Sequence, residues 1–362
     1  MQIHLVGGFT GSGKTTAILS ACRSLAARKV TAGVVTNDAG KYLVDTAYFD
    51  WQKVPAVQVT GGCVCCNYEE FLSRLEQLDR AVQPEVVFVE ADGTCADLVA
   101  TVVKPLDELR KNAAAKVTLT VFADCRLVTQ WLGGEALPFG NPAMYVYGRQ
   151  LDEAALVMLN KRDLISPDKA RLALDMARSG FPGKQVRLHN AFDALNADAW
   201  LEELDGLSRR ETPMNSLLID YARYAAGESS IGRVDTQLTF SAPTAIDLRG
   251  LMVDWIAGLN KEIRMRDIGL GHLKMLIQAG HTKAKIGLTA GDAAAWRAQI
   301  PDMHGKELKA LVNARMEAEP AVIHELLVNA ANAAAVNANC GVEEKDTEAY
   351  VPAYPKPKRR VP

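Results

Sequence analysis

Two short stretches carry residue types whose spacing points to chemistry. Residues 8–15 read Gly-Phe-Thr-Gly-Ser-Gly-Lys-Thr, and further on Gly61-Gly62 leads into Cys63-Val64-Cys65-Cys66. The first has the spacing of a phosphate cradle, set between an apolar run and a helical one. Gly8, Gly11 and Gly13 let the backbone around Ser12 turn its N–H groups inward, where a helix opening at Lys14, Thr15 and Thr16 adds its dipole. Lys14 then reaches the β- and γ-phosphates, and the Thr15 hydroxyl ligates Mg²⁺. The second stretch is a thiolate cluster. Thiolates select soft or borderline metals such as Zn²⁺ and also accept Co²⁺. A tetrahedral site wants four ligands, so Cys63, Cys65 and Cys66 leave one position for water, another side chain or a client.

Two further motifs complete a nucleotide site. Asn160-Lys161-Arg162-Asp163 closes an apolar run. A carboxylate such as Asp163 can accept both the N1–H and the exocyclic amine of guanine, while adenine offers no such pair, so GTP is preferred to ATP. Asn160 and Lys161 complete that base pocket. Glu90-Ala91-Asp92-Gly93 ends the run Val86–Val89. Glu90 suits the Mg²⁺ shell, directly or through water, and the Gly93 N–H suits the γ-phosphate. Asp92 is a candidate for orienting the attacking water. The other cysteines, Cys22, Cys95, Cys125 and Cys340, give an odd total of seven. Buried packing is the preferred reading for Cys22, Cys95 and Cys125, with Cys95 singled out because it follows Gly93. His272 is the most suggestive histidine outside the nucleotide motifs, although a satisfied loop or surface residue is the preferred reading.

These motifs need a scaffold that brings strand ends together. The first half alternates β-rich runs (Ile3–Gly7, Thr31–Thr36, Glu85–Ala91, Lys116–Ala123, Ala155–Asn160, Gln185–His189) with helical stretches such as Lys14–Ala27, Glu69–Ala81 and Pro167–Arg178. Several runs are apolar throughout, as strands of a parallel sheet covered on both faces must be. The expectation is an α/β, doubly wound, mainly parallel P-loop sheet over residues 1–207. A linker is expected over 208–232 and a smaller α+β domain, ferredoxin-like in one reading, over 233–337. There Arg233–Ser241 alternates as a strand, Thr244 opens a helix, Leu273–Gln278, Lys285–Leu288 and Leu308–Glu317 are further strands, and Pro320 starts a last helix. The polar, proline-bearing residues 338–362 read as a disordered tail.

Composition narrows the classes. The chain has 362 residues, is 48% hydrophobic and 23% charged, and carries a net charge of −2, which argues against nucleic acid as a partner. No apolar run approaches the roughly 18 residues of a membrane span. The start, Met1-Gln2-Ile3-His4, enters a strand without signal-peptide character, so a cytoplasmic location is expected.

The set and order of these motifs resembles the CobW-type GTPases, the cobalamin-biosynthesis and zinc-chaperone-like relatives of the urease and hydrogenase nickel-insertion GTPases. The resemblance covers about residues 1–205. Asn37-Asp38-Ala39-Gly40, with Asp45 beyond, is similar to that family's switch segment. It implies a slow, Mg²⁺-dependent GTPase that holds a divalent transition metal, Zn²⁺ or Co²⁺, on Cys63, Cys65 and Cys66. Nucleotide state would then control hand-over to a client metalloprotein or cobalamin-related enzyme, and a nucleotide-dependent homodimer is implied as well. Ala39 and Ala91-Asp92 depart from the family's pattern, as does Ala154-Ala155 before the guanine strand. Two other readings compete with a GTP-gated metallochaperone. One is a GTP-gated protein-binding switch with structural cysteines, the other a thiol redox sensor.

Overall fold

A computed structural model of the chain describes residues 1–37, 40, 44–110, 117–208, 216–292 and 295–362. Asp38, Ala39 and Lys116, and the Arg209–Pro213 part of the expected connector, lie outside them.

The first half is a seven-stranded parallel sheet. Its strands are β1 (Gln2–Gly7), β2 (Ala32–Asn37), β3 (Ala56–Val59), β4 (Val86–Glu90), β5 (Thr118–Asp124), β6 (Leu156–Asn160) and β7 (Gln185–Leu188), in the spatial order β3-β2-β4-β1-β5-β6-β7. Every pairing is parallel. Parallel strands need helical crossovers, and these cover both faces. On one face Phe88 and Phe122 pack under α1 (Lys14–Ala27) and α8 (Ala194–Ser208), around the buried Trp200. On the other, Leu5 and Val89 pack under α3 (Tyr68–Val82), α5 (Cys125–Gly133) and α6 (Asn141–Glu153). The remaining helices of this half are α2 (Val44–Trp51), α4 (Lys104–Leu109) and α7 (Pro167–Gly180). The strand order turns back at β1, so the crevice beyond the carboxyl ends of β1 and its neighbours is where a ligand belongs.

The second half is antiparallel. β8 (Gly232–Asp247), β9 (Gly269–Ala279), β10 (Thr282–Leu288), β11 (His304–Glu317) and β12 (Gly341–Tyr350) lie in the order β10-β9-β11-β8-β12. Helix α10 (Leu248–Met265) joins β8 to β9, and α11 (Pro320–Asn337) joins β11 to β12. Without the edge strand β10 this is the split β-α-β order of a ferredoxin-like sheet. One face is apolar. Leu273, Met275, Ile277, Val312 and Ala314 pack against Trp255, Ile256 and Leu327 of the two helices. Cross-strand register then puts the alternate residues on the other face: Asn313 opposite both Lys274 and Asp235, and Arg315 opposite both His272 and Arg233.

Three expectations need correction. The helix expected from Thr244 starts later, because β8 runs on to Asp247, whose carboxylate caps α10 by accepting from the Gly250 N–H at 2.9 Å. The stretch expected as linker contains α9 (Tyr221–Ser229), capped by Asp220 and packed on α6. The tail expected to be disordered forms β12, which pairs with β8 through main-chain hydrogen bonds that need no apolar side chains. Its Glu343, Glu344, Lys345 and Asp346 are the charges an edge strand carries. Beyond it, residues 351–362 run back over the first half. There the Lys358 N–H donates to the Cys65 carbonyl at 3.1 Å and the Val361 N–H to the Ala100 carbonyl at 2.8 Å.

Candidate nucleotide and metal site

The phosphate loop leaves β1 with Gly8, Gly11 and Gly13 all at positive φ. Gly13 has φ 93°, and a Cβ there would stand 2.3 Å from the Asn160 amide nitrogen. Asn160, at the end of β6, uses that amide to bond the Ser12 carbonyl at 2.8 Å and accepts from the Ala191 N–H at 3.1 Å, so it braces the loop. Lys14 folds back to donate to the Gly8 carbonyl at 2.7 Å; burial lowers its pKa although Glu90 pulls it up. The Thr15 hydroxyl donates to Glu90 Oε1 at 2.8 Å, while Glu90 Oε2 is buried with no hydrogen-bond partner among the described residues. Burial, then the nearby Asp45, raises the Glu90 pKa. An orphaned carboxylate oxygen beside a threonine hydroxyl fits Mg²⁺: a cation there satisfies both oxygens and favours the ionised acid.

Gly11, Gly13, Lys14, Thr15, Glu90 and Asn160 line a cavity of about 580 Å³, which Asp163, Thr16 and Gly93 also line. Its far wall comes from the second half of the chain. His272 Nδ1 lies 2.6 Å from Thr10 Oγ1 in the phosphate loop, and its Nε2 lies 2.6 Å from Asn313 Oδ1. With Asn313 accepting from Nε2–H, Nδ1 accepts from the threonine, so the ring is neutral; burial holds its pKa well below the usual value. Asp45 of α2 is gripped by Lys274 at 2.5 Å and Lys285 at 3.4 Å, from β9 and β10. Burial alone would raise the Asp45 pKa, but the two ammonium groups carry it well below the carboxylate range. Lys161, at φ 63°, donates to Thr289 Oγ1 at 2.6 Å and pairs with Asp124 at 3.2 Å.

Asp92 follows Glu90 into the loop after β4, and both its oxygens meet Arg233 of β8, at 2.7 and 2.8 Å. Despite burial, that guanidinium lowers its pKa strongly. Gly93 sits against the phosphate loop: a Cβ on it would come within 2.8 Å of the Thr10 Cα.

The sulfur chemistry lies in the segment after β3. The Sγ atoms of Cys63, Cys65 and Cys66 all lie within 4.8 Å of one another, with Cys63 to Cys65 at 2.8 Å and Cys65 to Cys66 at 3.8 Å. Cys95, on the loop after β4, is fully buried in the core that Cys65 also enters, and Cys63 and Cys66 pack against that core. The neighbouring Cys63, and then burial, push the Cys66 thiol up to about 11. Asn37 holds the cluster to the end of β2, donating to the Gly62 carbonyl at 2.8 Å and accepting from the Val64 N–H at 3.0 Å. The tail adds the Lys356 N–H, 3.3 Å from Cys66 Sγ.

Sequence reasoning named the phosphate loop, Glu90, Gly93, the Asn160–Asp163 segment and the three clustered cysteines. It left Cys95 as a packing residue and took His272 for a loop or surface group, and it missed Lys274, Lys285, Arg233 and Arg315. The available signal was the two-residue alternation of His272 with Lys274, Asn313 with Arg315, and Arg233 with Asp235, which marks one polar face on an otherwise apolar sheet.

A parallel sheet with a phosphate loop after β1, an acid at the end of β4 and Asn-Lys-x-Asp at the end of β6 defines a P-loop GTPase, an enzyme that hydrolyses GTP to GDP and phosphate. The family model for the CobW/HypB/UreG nucleotide-binding domain matches residues 2–184, and the chain belongs to that family. It is 30% identical over 184 residues to urease accessory protein UreG 1 of Streptomyces griseus, across 47% of this chain and 68% of that one. It is also 30% identical over 214 residues to UreG of Streptomyces coelicolor, across 55% of this chain and 84% of that one. Among solved structures, HypB of Helicobacter pylori in complex with nickel matches at 15% identity with a TM-score of 0.41, covering 59% of this chain and 91% of that one. Among the described residues no helix is long and apolar enough to cross a membrane.

Proposed function

We propose that the chain is a GTP-dependent metallochaperone. It would carry Zn²⁺ or Co²⁺ on Cys63, Cys65 and Cys66 and give it up to a client metalloprotein or cobalamin-related enzyme as GTP is turned over. The observation that carries this reading is the loop after β4. Within a few residues it passes from the Mg²⁺-ready Glu90, past Gly93 against the phosphate loop, to Cys95, buried in the core that Cys65 also enters. A γ-phosphate bound beside Thr10 meets that loop directly. Lys14 and Thr15 hold the phosphates and Mg²⁺, Asp163 reads guanine, and Lys274 and Lys285 bring cations from the second half to the same cavity. Asp92, fixed by Arg233, aligns the loop. A cluster of free thiols suits a reducing compartment such as the cytoplasm. Family likeness also supports a homodimer that forms with nucleotide.

The test is Zn²⁺ and Co²⁺ affinity by chelator competition, with Mg²⁺–GTP analogue and then Mg²⁺–GDP. The expected difference is about tenfold, worth about 1.4 kcal/mol of coupling, and it disappears when the three cysteines are replaced by serine. Equal affinities in both nucleotide states would sink the reading. They would favour instead a GTP-gated docking switch, to which the polar sheet face closing the nucleotide cavity also lends support.

A further inference from the structure

We infer that Lys274 is a catalytic residue of the GTPase, a cationic finger that the second half of the chain supplies to the γ-phosphate. This role belongs to GTP hydrolysis alone and does not depend on any cargo held by the cysteines. Strand β9 starts flush against the phosphate loop. A Cβ on Gly271 would stand 2.4 Å from Thr10 Cγ2, and one on Gly11 would stand 2.3 Å from the Gly271 carbonyl oxygen. His272, the next residue, is fixed to Thr10 Oγ1 at 2.6 Å. Lys274 follows on the same face of the strand, about 7 Å further along. Asp45 shows which way that step leads, because Lys274 reaches it at 2.5 Å. Asp45 lies on α2, just after β2, and β2 neighbours β4, which carries Glu90. The base motif at the end of β6 lies on the opposite side of β1. Lys274 therefore stands over the Mg²⁺ and γ-phosphate end of the cavity, whose lining it shares with Lys14, Thr15, Glu90 and Gly93.

In hydrolysis the water oxygen bonds to the γ-phosphorus. The bond from that phosphorus to the β–γ bridging oxygen breaks, its electron pair passes to GDP, and both protons of the water leave on the inorganic phosphate. Negative charge spreads over the γ-oxygens and grows on the bridging oxygen as this happens. A fixed ammonium in a cavity walled by protein offsets that charge far better than solvent does, and Lys274 exchanges no proton in the step. Lys14 brings one such charge from the phosphate loop, and Lys274 brings a second from the facing wall. Its flexible stem lets the ammonium turn from Asp45 to a phosphate oxygen. Lys285, 3.4 Å from the other Asp45 oxygen, keeps the carboxylate paired when it does. Lys285 is itself seated over the Tyr48 ring of α2, 4.1 Å from its centroid. Across the strand pair Lys274 lies opposite Gly287, which has no side chain to obstruct the turn. Asp45 is then a positioning residue that holds the ammonium ready over the site.

The deciding measurements are GTP turnover and nucleotide affinity of the full chain, with Mg²⁺ but neither Zn²⁺ nor Co²⁺. Lys274→Ala and Lys274→Met are set beside the wild type, the methionine keeping the packing of the stem without the charge. In both, kcat should fall about 100-fold or more, while GDP affinity stays within about twofold. GDP with aluminium fluoride, which stands in for the transferring phosphoryl group, should lose at least about tenfold in affinity relative to GDP alone. A kcat within about threefold of wild type would overturn the inference. So would equal losses of GDP and GDP–aluminium fluoride affinity, the signature of a lysine that only braces α2 through Asp45. The ratio of the two affinities is taken on one sample, so a misfolded fraction lowers both alike and leaves the ratio decisive.

Discussion

The phosphate cradle after β1 and the thiolate cluster after β3 are built on opposite plans. The cradle is a single contiguous stretch whose chemistry is main-chain N–H groups. Its side chains matter mostly where they are missing, as at Gly13, where a Cβ would displace Asn160. The cluster is made of side chains from the segment after β3, with a backbone strap from the end of the chain laid against it. A main-chain site is pre-formed with its strand and helix. A side-chain site covered by a distant segment opens when that segment moves, which is what a releasing carrier requires.

The sharpest way to break this comparison is at Lys14. Lys14→Ala removes the one side-chain charge of the cradle, and GTP turnover should fall by about 10²–10³-fold. Zn²⁺ affinity without nucleotide should stay within about twofold of wild type by chelator competition. An equal loss of metal binding would mean that the two sites are one unit.

Next in size is the ion pair that anchors the shared loop to the second sheet. Arg233→Met leaves the Asp92 carboxylate buried without its guanidinium, and breaking such a pair costs about 3–5 kcal/mol. Urea denaturation should show that loss, and Arg233→Met with Asp92→Asn should recover much of it, since no charge is then stranded. If the double variant is no more stable than the single one, the pair is not what fixes the loop.

Acid sharpens the comparison from the cradle's side. His4 on β1 and His189 after β7 are buried, and burial lowers both to about 4 from about 6.5. The unfolded chain therefore binds their protons first. Their contribution is complete above pH 6.5 and is lost as pH falls from 6.5 to 4, by up to about 3 kcal/mol for His4. Stability should drop through that window in chemical denaturation, and His4→Gln should flatten the slope. An unchanged slope would mean His4 is protonated in the folded chain.

The same contrast explains what could be read in the chain beforehand. The phosphate loop, Glu90, the Asn160–Asp163 segment and the three clustered cysteines are legible because each motif is local and its spacing encodes its function. The parallel sheet is legible because strands such as Val86–Val89 are apolar throughout. Cys95 reads as packing because a lone buried cysteine has no local pattern, and only tertiary structure buries it in the core that Cys65 also enters. Lys274 and Lys285 meet Asp45 across the whole chain, and no window of sequence contains both partners. The segment Gly341–Tyr350 misled for a different reason: an edge strand is stabilised by backbone pairing, so its composition resembles that of a disordered tail.

The smallest effect expected lies in the strap. Past β12 the chain crosses the cluster with the Lys356 N–H on Cys66, then the Lys358 N–H on the Cys65 carbonyl, and is pinned by Arg360 on Asp97 at 2.8 Å. Asp97 is buried but Arg360 is about a third exposed, so the pair is worth about 1 kcal/mol or less. A cover fastened that weakly opens often. Ending the chain at Tyr350 should therefore raise the rate at which an aromatic disulfide reagent labels Cys66 by only about three- to tenfold, with Arg360→Ala part of the way there. GTP turnover with Mg²⁺ but without Zn²⁺ or Co²⁺ should not change, because among the described residues the strap makes no hydrogen bond to those lining the nucleotide cavity. A labelling rate indifferent to the deletion would show that the strap does not shield the thiols. Protection would then come from the core around Cys65, which Cys95 of the loop after β4 also enters.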